Sequence, residues 1–163
     1  MTIFGLPPLT LMIFLPTAGL LVLLVVPGSR TRALKLAANA VTGLNFLLAL
    51  AVALKFDAGT GEMQFLERAP WIKAIGAQYL LGIDGISLLL VLLTALLSFV
   101  ATLSSWEAIR SRVKEYYVFL LLLETGMIGV FLSLDLLLFY VFWEVVLVPM
   151  YFLIGIWGGE RKL

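Results

Sequence analysis

The sequence contains no cysteine and no histidine. Those absences remove disulfides, thiolate or zinc sites of the usual kind, and haem ligation by histidine from this chain. They also remove the side chain most often used to shuttle protons near neutral pH. Any proton movement must then use carboxylates, lysines and water. The missing cysteine leaves the compartment open. Charge is scarce too: 13% of the 163 residues are charged and 63% are hydrophobic. A soluble domain has about a quarter charged and about half apolar. The mean hydropathy is +1.12. The opening MTIFGLPPLT carries no basic n-region, so it reads as the start of a span and not as a cleaved signal.

What is present is arranged in long apolar runs. Residues 1–29, 36–54 and 85–106 carry no charge. Runs of about 18 or more such residues read as membrane-spanning helices. The expected fold class is an all-α integral membrane protein with five transmembrane helices, near 4–26, 34–55, 84–105, 116–133 and 136–157. Pro27-Gly28 ends the first. The segment 56–82 reads as a long loop, with short strands around Met63–Leu66 as an option; its Gly59, Gly61 and Pro70 argue against a helix. The turn near Leu134 is short, so helices four and five are antiparallel neighbours.

Lys and Arg concentrate on the cytoplasmic side of membrane proteins. Arg30, Arg32 and Lys35 follow helix one, Arg110, Arg112 and Lys114 follow helix three, and Arg161 and Lys162 end the sequence. The opposite side holds Lys55, Arg68 and Lys73. The expected orientation is N-terminus outside and C-terminus cytoplasmic. Trp71, Trp106 and Trp157 fall near expected helix ends, as interfacial aromatics do, whereas Trp143 is mid-span.

Two carboxylates lie deep within spans. Glu124 stands ten residues before Leu134 and Glu144 ten residues after it. Each is on the order of 15 Å from the shared turn, near the middle of a hydrocarbon core about 30 Å thick. A charge there costs at least ~2.5–3.5 kcal/mol, so the default reading is an ion or proton pathway. The alternative is a hydrogen-bonded acid that only ties helices together. Every lysine lies at a helix end or in a loop. Either a cationic partner for Glu144 sits on a helix outside this sequence, or Glu144 stays protonated. The sequence stops at GGERKL directly after this helix, which raises the expectation of a longer protein.

Pro149 has no N–H, so the Val145 carbonyl loses its helical partner beside Glu144. Tyr140 and Tyr151 share the helical stripe of Glu144. A carboxylate, two hydroxyls and a freed carbonyl suit a short water chain; an ordinary packing kink is the other reading. Ser87, Thr94, Ser98 and Ser105 share one face of helix three, consistent with close helix packing. Gly126 and Gly129 mark a tight contact on the side away from Glu124. Asp84 and Asp135 read as helix caps.

Two blocks carry a family resemblance. YLLGIDGISLLLVLLT (79–94) resembles the opening segment of antiporter-like membrane subunits, found in respiratory complex I and in multi-subunit cation/proton antiporters. ETGMIGVFLSLDLLLFYVFWEVVLVPMYFLIGIWGG (124–159) is similar, more narrowly, to the M subunits of proton-pumping NADH:quinone oxidoreductase. The resemblance implies a protein of about fourteen helices with two inverted five-helix repeats. Residues 1–115 would be three leading helices and 116–163 the first two of the first repeat. It implies that Glu144 belongs to a proton path whose lysine lies on a later helix. From depth and helix spacing, Glu124 reads as a candidate second proton site and Pro149, Tyr140 and Tyr151 as supporting residues. The resemblance implies no redox cofactor in this chain; FMN, iron–sulfur clusters and quinone belong to the rest of the complex. The implied partners are other membrane-arm subunits and the lipid bilayer, not nucleic acid, and the implied location is the bacterial inner (plasma) membrane, with the mitochondrial inner membrane as the alternative. The competing readings are a cation/proton antiporter subunit and a non-transporting scaffold.

Overall fold

A computed structural model describes residues 6–158 of the chain. The first residues of the expected helix one, and Arg161 and Lys162, lie outside the described residues. Five helices long and apolar enough to cross a membrane follow in order: α1 (Pro8–Val25), α2 (Thr31–Leu54), α3 (Gly85–Ala108), α4 (Val113–Leu132) and α5 (Leu136–Trp157). Each coincides with an expected span to within a few residues. The apolar runs set these positions, because a spanning helix satisfies its backbone internally where no water is available.

The connection between α2 and α3 differs from the expected loop. It holds an antiparallel hairpin of β1 (Gln64–Ile72) and β2 (Ala77–Ile83), joined through a 3-10 turn and Gly76 at φ 72°. Gly76 takes the left-handed conformation that favours glycine. The register shifts between Gln64 and Glu67, where Phe65 has φ 53°. That irregularity sends Phe65 into the core beside Leu81 and Ile83. Trp71 therefore belongs to β1 and not to a helix end.

The hairpin holds one end of the bundle together. Pro7 precedes α1 and offers no side-chain cap. Glu67 of β1 supplies it: its carboxylate accepts from Leu9 N (2.8 Å), Thr10 N (2.9 Å) and Thr10 Oγ1 (2.5 Å). A negative group at the positive helix end is favourable. Asp135 caps α5 by accepting from Leu137 N and Leu138 N, and also accepts from Gln78 N of β2. The α4–α5 turn pairs with β2 through Leu134 N and the Leu80 carbonyl (2.9 Å). Asp84 and Ser87 form a reciprocal capping box at α3.

The opposite, basic end is closed by lysines. Lys35 donates to the Trp106 and Ile109 carbonyls at the end of α3. Lys114 donates to the Leu24 and Val26 carbonyls at the end of α1 (2.7 and 2.9 Å). Cations are favoured at helix C-terminal ends.

Candidate functional site

The two mid-span carboxylates occupy different surroundings. α5 packs on α4 along one narrow face. Gly126 and Gly129 let α5 approach: a Cβ on Gly129 would lie 2.3 Å from the Phe142 ring, and one on Gly126 2.8 Å from Val146. Leu138, Phe142 and Pro149 are the buried residues of α5. Glu144 is on the exposed part of the helix with Tyr140, Trp143, Leu147 and Tyr151. The Tyr140 side chain stands one turn away on the same face as the Glu144 carboxylate. Tyr151 stays 65% exposed. Among the described residues no ion pair reaches Glu144. Lys35 and Lys114 are committed to helix ends, as above.

Glu124 is fully buried between helices. Its carboxylate does not turn to α5, since the glycines face that way. It turns to α2, where Asn45 Nδ2 donates to Glu124 Oε1 at 2.9 Å. Asn45 is fully buried as well. Each partner keeps one buried oxygen without a hydrogen-bond partner, Glu124 Oε2 and Asn45 Oδ1. The structure thus brings Glu144 together with Tyr140 and separates Glu144 from Glu124. Pro149 sits on the buried side of α5, while Glu144 and Tyr151 are on the exposed side.

Asn45 escaped the sequence reading, although its signal was present. It lies nine residues from the hairpin end of α2, and Glu124 eight from the same end of α4. Counting depth from the helix ends matches the two. An uncharged amide attracts less notice than a carboxylate, yet burying it without a partner is also costly. Further polar side chains continue from this pair. Thr42 Oγ1 meets Thr102 Oγ1 at 3.0 Å, and Tyr117 OH donates to the Thr102 carbonyl at 3.4 Å. Thr125 and Thr17 hydroxyls join α4 to α1 at 3.0 Å. Ser98 and Thr94 are buried on α3, and Ser105 meets the Tyr116 hydroxyl at 2.7 Å.

Comparison with known proteins extends these observations. Residues 133–163, which include Glu144 and Pro149, match the family described as "NADH:quinone oxidoreductase/Mrp antiporter, TM". The chain is 45% identical over 159 residues to NADH-quinone oxidoreductase subunit M of Rhodobacter capsulatus, covering 95% of this chain and 30% of that protein. It is 42% identical over 151 residues to NADH-ubiquinone oxidoreductase chain 4 of Arabidopsis thaliana, covering 93% and 30%. Its fold superimposes with a TM-score of 0.76 on a chain of respiratory complex I from Thermus thermophilus with bound NADH, at 30% identity over 93% of this chain and 30% of that one. The chain therefore spans about a third of the length of the curated relatives it matches. Sequence and helical arrangement agree over nearly all of this chain, and in that span it resembles subunit M and chain 4 of NADH:quinone oxidoreductase.

Proposed function

We propose that the protein of which these residues form part is a proton-translocating membrane-arm subunit of complex I. Electron transfer from NADH to quinone occurs elsewhere in the complex, and no redox group is held by this chain. FMN, iron–sulfur clusters and quinone belong to other subunits. Electrostatic or conformational change along the membrane arm reaches Glu144, which loads and releases the proton. The orientation is N-terminus outside and C-terminus cytoplasmic, in a bacterial plasma membrane. Residues 1–115 are the leading helices and 116–163 the opening of the first antiporter-like repeat. The adjoining partners are other membrane-arm subunits.

One observation carries this reading. Glu144 stands mid-span on an exposed helix face, within reach of Tyr140, with no cation beside it among the described residues. A carboxylate at that depth needs a partner. The relatives are about three times longer, which leaves room for a helix bearing one. At an effective dielectric of about 20, a lysine ~4 Å away is worth about 4 kcal/mol. Moving it changes the proton occupancy of a carboxyl by about a thousandfold. Pro149 lies about one and a half turns beyond Glu144. It leaves the Val145 carbonyl without its helical partner, on the side of α5 that packs against α4 and away from the carboxylate.

Glu124 is a second proton-holding group, buried on the other side of α4. The decisive experiment is Glu144→Gln in the assembled complex, with NADH oxidation and proton pumping measured together. Pumping should collapse while assembly persists. Normal coupled pumping at normal assembly would remove the role of Glu144.

A further inference from the structure

The Glu124–Asn45 pair differs in its surroundings toward the two ends of the bundle. Toward the hairpin end the neighbouring core is apolar and closed. Ala49, Val52, Leu88, Val91, Ile128 and Leu132 pack there in one buried cluster with Phe65, Leu81 and Ile83 of the hairpin. Toward the basic end Leu23, Leu34, Ala38, Val113 and Leu121 form a second buried apolar cluster, but a layer of polar side chains crosses α2, α3 and α4 beside it. Thr42, one turn from Asn45 on α2, bonds Thr102 of α3, and Tyr117 of α4 bonds the Thr102 carbonyl. Asn39 lies beyond Thr42 with its Oδ1 buried and without a partner. The Ser105–Tyr116 hydroxyl pair stands nearer the same end.

The hydrogen-bond inventory of the pair is incomplete in a specific sense. Glu124 Oε2 and Asn45 Oδ1 are both acceptors, both buried, and both unmatched. Buried acceptors are satisfied in nearly all cases. Among the described residues no lysine or arginine is bonded to them. What is missing is a hydrogen, either on Glu124 Oε2 itself or on a water between the two oxygens. A buried water needs two or more polar partners, and this pair supplies them.

We infer that Glu124 and Asn45 form a one-sided proton site that exchanges with water at the basic end through the Thr42–Thr102–Tyr117 layer. Glu124 Oε2 takes one proton from an entering hydronium, which leaves as water, and returns the proton to water by the same way. Asn45 Nδ2 holds the other carboxylate oxygen throughout. Residues three apart on α2 have Cβ atoms ~5–6 Å apart, a gap that a bridging water closes. The apolar cluster prevents passage to the hairpin end. This site is separate from Glu144, which lies on the exposed side of α5. The inference rests on reading Glu124 as a proton-holding group, and the experiment separates the two.

The test is infrared difference spectroscopy on native membranes containing the full-length protein. Glu124→Gln identifies the Glu124 carboxylic-acid band by removing it. Transfer to heavy water then gives the rate at which that band shifts. Thr42→Val and Thr102→Val should each slow the shift by about tenfold, the effect of one lost hydrogen-bonding step. Thr42→Ser should restore the rate. Thr94→Val should leave it unchanged, since Thr94 bonds only the Leu90 carbonyl of its own helix. If Glu124→Gln removes no band, Glu124 holds no proton and both readings fall. If the band exists but exchanges equally fast in Thr42→Val and Thr102→Val, the route falls while the proton-holding role stands. Loss of the band on adding sodium ions would overturn the proton site in favour of a cation site.

Discussion

Glu124 and Glu144 lie at similar depth on adjacent helices, yet they differ in almost every physical respect. Glu124 is enclosed, and its hydrogen-bond partner Asn45 lies within the chain. Glu144 is exposed, and its contact is a tyrosine one turn away on its own helix. The difference arises on α4 and α5. Gly126 and Gly129 turn one side of α4 into the α5 contact. That leaves Glu124 facing α2, and the same contact commits Phe142 and Pro149 of α5 while Glu144 faces away. The lesson is that depth assigns the cost of a carboxylate, whereas helix rotation assigns its partner.

The largest effect should come from Glu144. Glu144→Gln should reduce coupled proton pumping about a hundredfold or more, the scale of a lost proton-transfer group. Retained pumping would erase the contrast with Glu124. The next effect is on stability. Asn45→Leu leaves a buried carboxylate wholly unmatched and should cost about 1–3 kcal/mol in thermal or denaturant unfolding. Asn45→Leu combined with Glu124→Leu should cost less than that single change, because both polar groups then leave together. Glu144→Gln, which keeps the shape and a hydrogen-bonding group at that position, should cost less than Asn45→Leu in the same assay. An equal cost at both sites would break the comparison.

Smaller effects belong to the hairpin end, which holds the enclosed region in place. Glu67→Ala should destabilise by ~1–2 kcal/mol, because α1 has no cap of its own. Hydrogen exchange at Leu9 and Thr10 would localise the loss. The smallest effect is a pH dependence. The Ser87 N–H and hydroxyl hold the Asp84 carboxyl below its ordinary value, and the Gln78 N–H, with Leu138 and Leu137 N–H, does the same for Asp135. A folded value below the unfolded one means stability that is present above about pH 4. It is lost as pH falls through the folded values. Acid titration of unfolding should show this slope, and Asp135→Asn should flatten it.

Much of this was legible without a structure. The five spans, the Asp84 and Asp135 caps, the Gly126–Gly129 contact and the matched depths of Glu124 and Glu144 follow from counting. A bilayer is a one-dimensional solvent along each helix, and apolar length reads directly against its thickness. The hairpin was legible only in part. Its strands have no long alternating pattern, because a register shift and Pro70 interrupt β1.

What the tertiary structure alone decided concerns direction around each helix and contact between distant segments. Asn45 meets Glu124 across a separation of 79 residues, Glu67 caps α1 across 58, and Lys114 closes α1 across 88. None of these pairings has a local signature. The sequence by itself determined how deep each polar group lies, since that is set by chain length and the solvent. Which partner each polar group meets was settled by how the helices rotate and pack, because a turn of a few tens of degrees moves a side chain from lipid to a neighbouring helix at no change in depth.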